Sequence, residues 1–142
     1  MPEFRSLALD ALRREGHRIG LKRLSVIEAL DEATVPLSPQ ELHRVMRSMR
    51  RRIDVVTIYR LAEILVNAGV LYRVGFLDGR LWRRELTDST ILLVDAEAGE
   101  VTELEGRPEF ADYLASRAAA HGYQIVGAQI EINALPFQGD RP

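Results

Sequence analysis

The chain of 142 residues contains no cysteine. This one absence excludes disulfide staples, thiolate zinc sites, iron–sulfur clusters and cysteine nucleophiles together. A secreted disulfide scaffold is ruled out, and a reducing cytoplasm fits. No staple is needed, because a chain of 16.0 kDa can bury about two-thirds of its unfolded surface. Long apolar runs are also missing: none approaches the roughly 20 residues that a membrane helix requires. Glu3 and Asp10 put charge where a signal peptide would be apolar, so none is expected. Histidine is scarce. His17, His43 and His121 lie far apart and match no ligand spacing, and no phosphate-binding glycine loop or nucleophile motif is present. An enzyme is therefore not expected, and no cofactor is read from the spacing.

What is present describes a globular protein, 46% hydrophobic and 28% charged. Its formal charge of −2 conceals an asymmetry. Residues 1–86 hold 16 Lys/Arg against 11 Asp/Glu, a net +5, whereas residues 87–142 hold 3 against 10, a net −7. A basic half followed by an acidic half suggests a polyanion-binding module joined to a second unit. Chance clustering of solvated charge is the plainer alternative.

Helical patterns dominate the basic half. Glu3 to Glu15 carries Phe4, Leu7, Leu9, Ala11 and Leu12 and stops at Gly16. Lys22 to Ala33 puts Leu24, Ile27, Ala29 and Leu30 on one stripe. Ser38-Pro39-Gln40-Glu41 combines an N-cap serine, a proline at the first helical position and a glutamate placed to close a capping box. Another helix opens near Ile53-Asp54, turns Ile58, Leu61, Ala62 and Leu65 inward, and ends at Asn67-Ala68-Gly69. Val70 to Phe76 and Arg80 to Glu85 then form a hairpin around Leu77-Asp78-Gly79. This is the winged helix-turn-helix order. In the acidic half, Ile91 to Val94 and Val101 to Leu104 read as strands, Pro108 to His121 as a helix, and Tyr123 to Asn133 as an alternating strand. So small a β-β-α-β unit has an open edge, and pairing with a second copy is the economical remedy. The expected fold is α+β: an N-terminal winged helix-turn-helix, residues 1–86, and a β-β-α-β dimerisation domain, residues 87–142.

Opposite the core stripe of the fourth helix stand Val56, Arg60, Glu63 and Asn67, with Tyr59 at the edge. Arginine can fork onto guanine, while valine and the tyrosine ring pack on thymine methyls. Thr57 and nearby backbone N–H groups suit a phosphate. A half-buried packing tyrosine and a solvated arginine remain the alternatives. Arg44, Arg47, Arg50, Arg51 and Arg52 precede this helix, and 44, 47 and 51 are expected on one helical face to meet a phosphate backbone. Arg18, Lys22 and Arg23 form a second basic spot, and Arg73, Arg80, Arg83 and Arg84 are expected to make the wing positive.

These stretches resemble the ferric uptake regulators, a family of bacterial metal-responsive repressors. The likeness is carried by Leu12 to Arg23, by Leu37-Ser38-Pro39-Gln40-Glu41-Leu42, by Val56-Thr57-Ile58-Tyr59-Arg60 with Asn67-Ala68-Gly69-Val70, and by Leu114 to Tyr123. The resemblance implies a cytoplasmic, nucleoid-associated homodimer that binds double-stranded DNA at an A/T-rich inverted repeat. It assigns Tyr59 and Arg60 to base contacts and Arg18 to the minor groove. The metal chemistry departs from the family. Thr87-Asp88-Ser89-Thr90 replaces the sensor stretch, Asp95 and Ala98 stand where a Cys-x-x-Cys pair would be, and Val35-Pro36 replaces a histidine. Only Glu85 and Glu103 align with family ligands, and two carboxylates alone make a weak zinc or ferrous site. A metal-independent repressor is the expectation. The alternatives are a non-standard sensor built from Glu85, Asp95, Glu103 and His121, or a winged helix that binds protein.

Overall fold

A computed structural model describes residues 3–85 and 91–139. Four helices come first: α1 (Phe4–Arg14), α2 (Leu21–Glu32), α3 (Pro39–Ser48) and α4 (Val55–Asn67). The hairpin of β1 (Leu71–Val74) and β2 (Arg80–Arg83) turns through a 3-10 segment, Gly75–Leu77. β3 (Ile91–Asp95), β4 (Val101–Leu104), α5 (Pro108–Ala120) and β5 (Ile130–Ala134) complete the α+β order. Thr87-Asp88-Ser89-Thr90 lies outside the described residues.

The most explicit local signal in the sequence acts as its chemistry dictates. The Glu41 N–H donates to Ser38 Oγ at 3.1 Å, and the Ser38 N–H donates to Glu41 Oε1 at 3.0 Å. That capping box, with Pro39 in the first turn, starts α3. Glu41 Oε1 also accepts from Arg80 Nε at 2.8 Å, which ties α3 to β2. Burial on its own would push the Glu41 carboxyl up. The Arg80 hydrogen bond, with those from Ser38, outweighs it and holds the group below its ordinary value. A carboxylate so lowered contributes stability above its unfolded value and loses it as pH falls through the folded one. Glu41→Gln is therefore expected to cost about 1 kcal/mol at neutral pH. Thermal melts of the two proteins should converge below about pH 4, the ordinary glutamate range.

Two apolar cores share the hairpin between them. The first gathers Phe4 and Leu12 of α1, Ile27 and Leu30 of α2, Leu42 and Met46 of α3, and Ile58, Leu61 and Leu65 of α4, with Leu71 and Leu81 closing it. Leu37 joins β2 through a single antiparallel bridge to Leu81, so the α2–α3 connection is tied to the two-stranded wing. Alternate hairpin residues point the other way, as strand geometry requires. Tyr72, Val74 and Trp82 meet Leu92, Val94 and Val101 in the second core.

The second sheet has the order β4-β3-β5, antiparallel and then parallel. Leu92 pairs with Glu131 and Val94 with Asn133, so these four share the face turned to the wing. The far face carries Ile91, Leu93, Leu104, Ile130 and Ile132. α5 has no buried residue. Phe110, Tyr113, Tyr123, Ile125 and Val126 are exposed, Val126 to 98%. The strand expected over Tyr123 to Asn133 is confined to Ile130–Ala134. β3 is only five residues long, and its ladder to β5 runs from Ile91–Ile130 to Asp95–Ala134. Among the described residues, 123–129 pair with no strand.

Candidate nucleic-acid interface

α4 divides its faces as its periodicity requires. Ile58, Leu61, Ala62 and Leu65 are buried, and Val56, Tyr59, Arg60, Glu63 and Asn67 are exposed. Thr57 is half-buried. Gln40 Nε2 donates to the Tyr59 hydroxyl, steadying that ring against α3. Asp54 precedes the helix, and its side chain makes no capping hydrogen bond.

Beside the start of α4 lies an open basin lined by Lys22, His43, Arg47, Arg50, Arg51, Arg52, Ile53 and Asp54. It is built by the loop that follows α3. The helix ends at Ser48, Arg50 adopts φ +58°, and the Arg51 N–H closes back on Met46 O at 2.8 Å. The reading that 44, 47 and 51 share one helical face is thereby corrected, since Arg51 stands beyond the helix end. A left-handed residue there bends the chain and sets Arg50, Arg51 and Arg52 around the basin. None of Lys22, Arg47, Arg50, Arg51 and Arg52 is ion-paired among the described residues. Arg18 is exposed, and its carbonyl accepts from Arg23 Nη1 at 2.6 Å, which joins the second basic spot to α2.

The wing is different. Arg73 pairs with Glu63 at 2.6 Å and Arg80 with Glu41. Arg83 pairs with Glu85, donates to Leu30 O and Ala33 O, and stacks on Trp82. Arg84 donates to the Tyr72 hydroxyl and to Gly69 O. The expectation of a positive wing is corrected by this geometry. All four arginines are spent on internal partners, and the unpaired cations concentrate beside α4. Residue type and sign alone do not reveal which arginines are engaged.

The residues aligned with family ligands are also engaged. The Glu85 N–H donates to Glu103 Oε1 at 2.9 Å, and the Glu85 carboxylate holds Arg83. Asp95 Oδ1 accepts from the N–H groups of Glu97 and Ala98, closing the β3–β4 turn. His121 is the C-cap residue of α5. Among the described residues, no three His, Asp or Glu side chains converge in a metal-holding group. With no thiolate and no imidazole at Glu85 and Glu103, this donor set does not fit zinc or ferrous iron. Sequence reasoning missed Gln129, just before β5, and Glu131 on it, which reach the wing across more than fifty residues. No helix among the described residues is long and apolar enough to cross a membrane.

Comparison with known proteins gives one consistent answer. The model of the ferric uptake regulator family matches residues 14–133. The ferric uptake regulation protein of Rhizobium leguminosarum bv. viciae is 25% identical over 124 residues, covering 87% of each chain. That of Neisseria meningitidis serogroup B is 29% identical over 128 residues, covering 89% of this chain and 87% of the relative. Among solved structures, a zinc uptake regulator complexed with zinc and DNA superposes with a TM-score of 0.75 at 20% identity, covering 96% of this chain and 94% of that one. The ferric uptake regulator of Pseudomonas aeruginosa with manganese gives 0.64 at 20% identity, covering 92% and 98%.

Proposed function

Because the chain belongs to the ferric uptake regulator family of transcription regulators, we propose that it is a metal-independent repressor acting as a homodimer on an A/T-rich inverted repeat. Residues 1–86 form the DNA-binding unit and residues 87–142 the dimerisation unit. One observation carries the reading: the unpaired cations of the basin lie beside the start of α4, whose exposed face carries Val56, Tyr59, Arg60, Glu63 and Asn67. α4 enters the major groove, where Arg60 forks onto guanine and Val56 and Tyr59 pack on thymine methyls. Thr57, Arg47 and Arg51 hold phosphates, and Lys22 and Arg23 sit over the backbone while Arg18 approaches the minor groove. A dimer seated on a promoter would exclude polymerase, which is the sense in which it represses.

Metal independence is supported by the donor chemistry. The Glu103 carboxylate accepts from the Glu85 N–H and the Glu85 carboxylate holds Arg83, with no imidazole or thiolate beside them, and Asp95 closes its own turn.

Selection of bound sequences from random double-stranded DNA, with and without a strong chelator, tests the whole reading. The expected product in both arms is one inverted repeat rich in A/T. Enrichment that vanishes on chelation, or purified protein carrying stoichiometric metal, overturns metal independence. An absence of enrichment in either arm overturns the regulator reading and favours a protein partner.

A further inference from the structure

We propose that Glu131 is a positioning residue for DNA recognition, which latches the wing to the C-terminal sheet and so sets the half-site spacing the dimer accepts. The inference rests on the DNA-binding reading above. Glu131 lies on β5, a strand at the edge of the second sheet. Its carboxylate accepts from two successive wing N–H groups, Gly75 to Oε2 at 2.8 Å and Phe76 to Oε1 at 3.0 Å. Gln129 reinforces the clamp, donating through Nε2 to Arg73 O at 2.8 Å and to Glu131 Oε2 at 3.2 Å. Glu131 therefore grips the wing turn, and Gln129 grips the end of β1 that leads into it.

That strand also reaches the reading helix. The Arg73 guanidinium holds Glu63 at 2.6 Å, and Glu63 shares the exposed face of α4 with Val56, Arg60 and Asn67. A continuous chain of hydrogen bonds thus runs from β5 through the wing to the face of α4. The second core, made by Tyr72, Val74 and Trp82 on Leu92, Val94 and Val101, holds the same two bodies together but is apolar and non-directional. Directional hydrogen bonds at the wing tip select one orientation among those the apolar contact permits. In a symmetric dimer this orientation fixes the separation of the two reading helices, and therefore the spacing of the half-sites.

Gly75 provides an independent handle. A Cβ there would lie 3.2 Å from Glu131 Oε2, so Gly75→Ala crowds the latch without changing any charge. Glu131→Gln keeps one acceptor oxygen and turns an NH₂ donor toward a donor N–H, which breaks half of the clamp.

The full-length protein is tested on paired half-sites whose separation changes in single base-pair steps, and on a single half-site. Because the chain has no native cysteine, Ser6→Cys on the exposed side of α1 and Glu97→Cys accept a donor and acceptor dye without background. Labelled protein is diluted into unlabelled protein, so that energy transfer reads the distance within one protomer. Unaltered protein is expected to favour one separation by about tenfold over its neighbours. Glu131→Ala and Gly75→Ala should flatten that preference and broaden the dye distance, with Glu131→Gln intermediate and single half-site binding unchanged. Equal weakening at every separation, or an unchanged distance distribution, overturns the latch. If unaltered protein binds no double-stranded DNA, the regulator reading falls and the role in recognition falls with it. Unbroadened distances alongside intact DNA binding refute the latch alone.

Discussion

Replacing Tyr59 and Arg60 together by alanine is expected to remove sequence-specific DNA binding and leave the fold intact. Both side chains are exposed on α4, while the residues that hold the helix in the first core, Ile58, Leu61 and Leu65, are untouched. A well-placed arginine–guanine pair discriminates by about 1–3 kcal/mol. With the tyrosine ring removed as well, the selected site should bind some 10²- to 10³-fold more weakly, at about 1.4 kcal/mol per decade. Binding to scrambled DNA should persist, because the basin arginines remain. Fluorescence anisotropy on the selected and a scrambled duplex measures both. Arg47→Ala with Arg51→Ala supplies the opposite signature, weakening all sequences alike and reducing the salt slope by roughly 0.9 for each phosphate no longer neutralised. If the Tyr59/Arg60 variant keeps its preference for the selected site, α4 is not the reading element.

The second large effect is expected at the far face of the second sheet. Ile91, Leu93, Leu104, Ile130 and Ile132 present an apolar surface, and α5 buries none of its own residues. Soluble proteins seldom leave so much contiguous apolar surface uncovered. In the proposed homodimer a second copy covers it. Ile132 is 44% exposed in the single chain, so an aspartate there is tolerated by the protomer. At a two-fold interface the same charge is buried twice, each unpaired and costing several kcal/mol. Ile132→Asp should therefore weaken the dimer by more than about 10³-fold, to be read by sedimentation at micromolar concentrations. Specific DNA binding should weaken in parallel while circular dichroism stays unchanged. An undisturbed dimer would put the interface elsewhere.

Local chemistry was legible in the sequence, and long-range pairing was not. The capping box of Ser38 and Glu41, the inward stripe of α4 and the order of the elements each follow from residues within a few positions of one another. The third strand pattern of the acidic half, Tyr123 to Asn133, is realised among the described residues only over Ile130–Ala134, because alternation marks a face and not the hydrogen-bonding partner a strand needs. The wing arginines were misjudged for a related reason. Arg73 finds Glu63 ten residues away and Arg80 finds Glu41 thirty-nine away, and a sequence displays the charge but not its neighbour. Arg50 is harder still, because a non-glycine residue at positive φ leaves no compositional mark. The basin around it was legible as a run of arginines and illegible as a shape. Glu131 carried no signal at all, being one carboxylate in an alternating stretch whose acceptors are used fifty-five residues away.

The hairpin's double allegiance has a consequence for anyone who would divide the protein. A fragment ending just after the wing would keep every residue of α4 and the basin, yet it would bare Tyr72, Val74 and Trp82, whose cover comes from Leu92, Val94 and Val101. Such a fragment would carry a sticky aromatic flank next to its nucleic-acid face. Modular exchange, whether by evolution swapping one half for another or by an engineer grafting a new effector unit, must therefore bring a matching apolar surface to the graft.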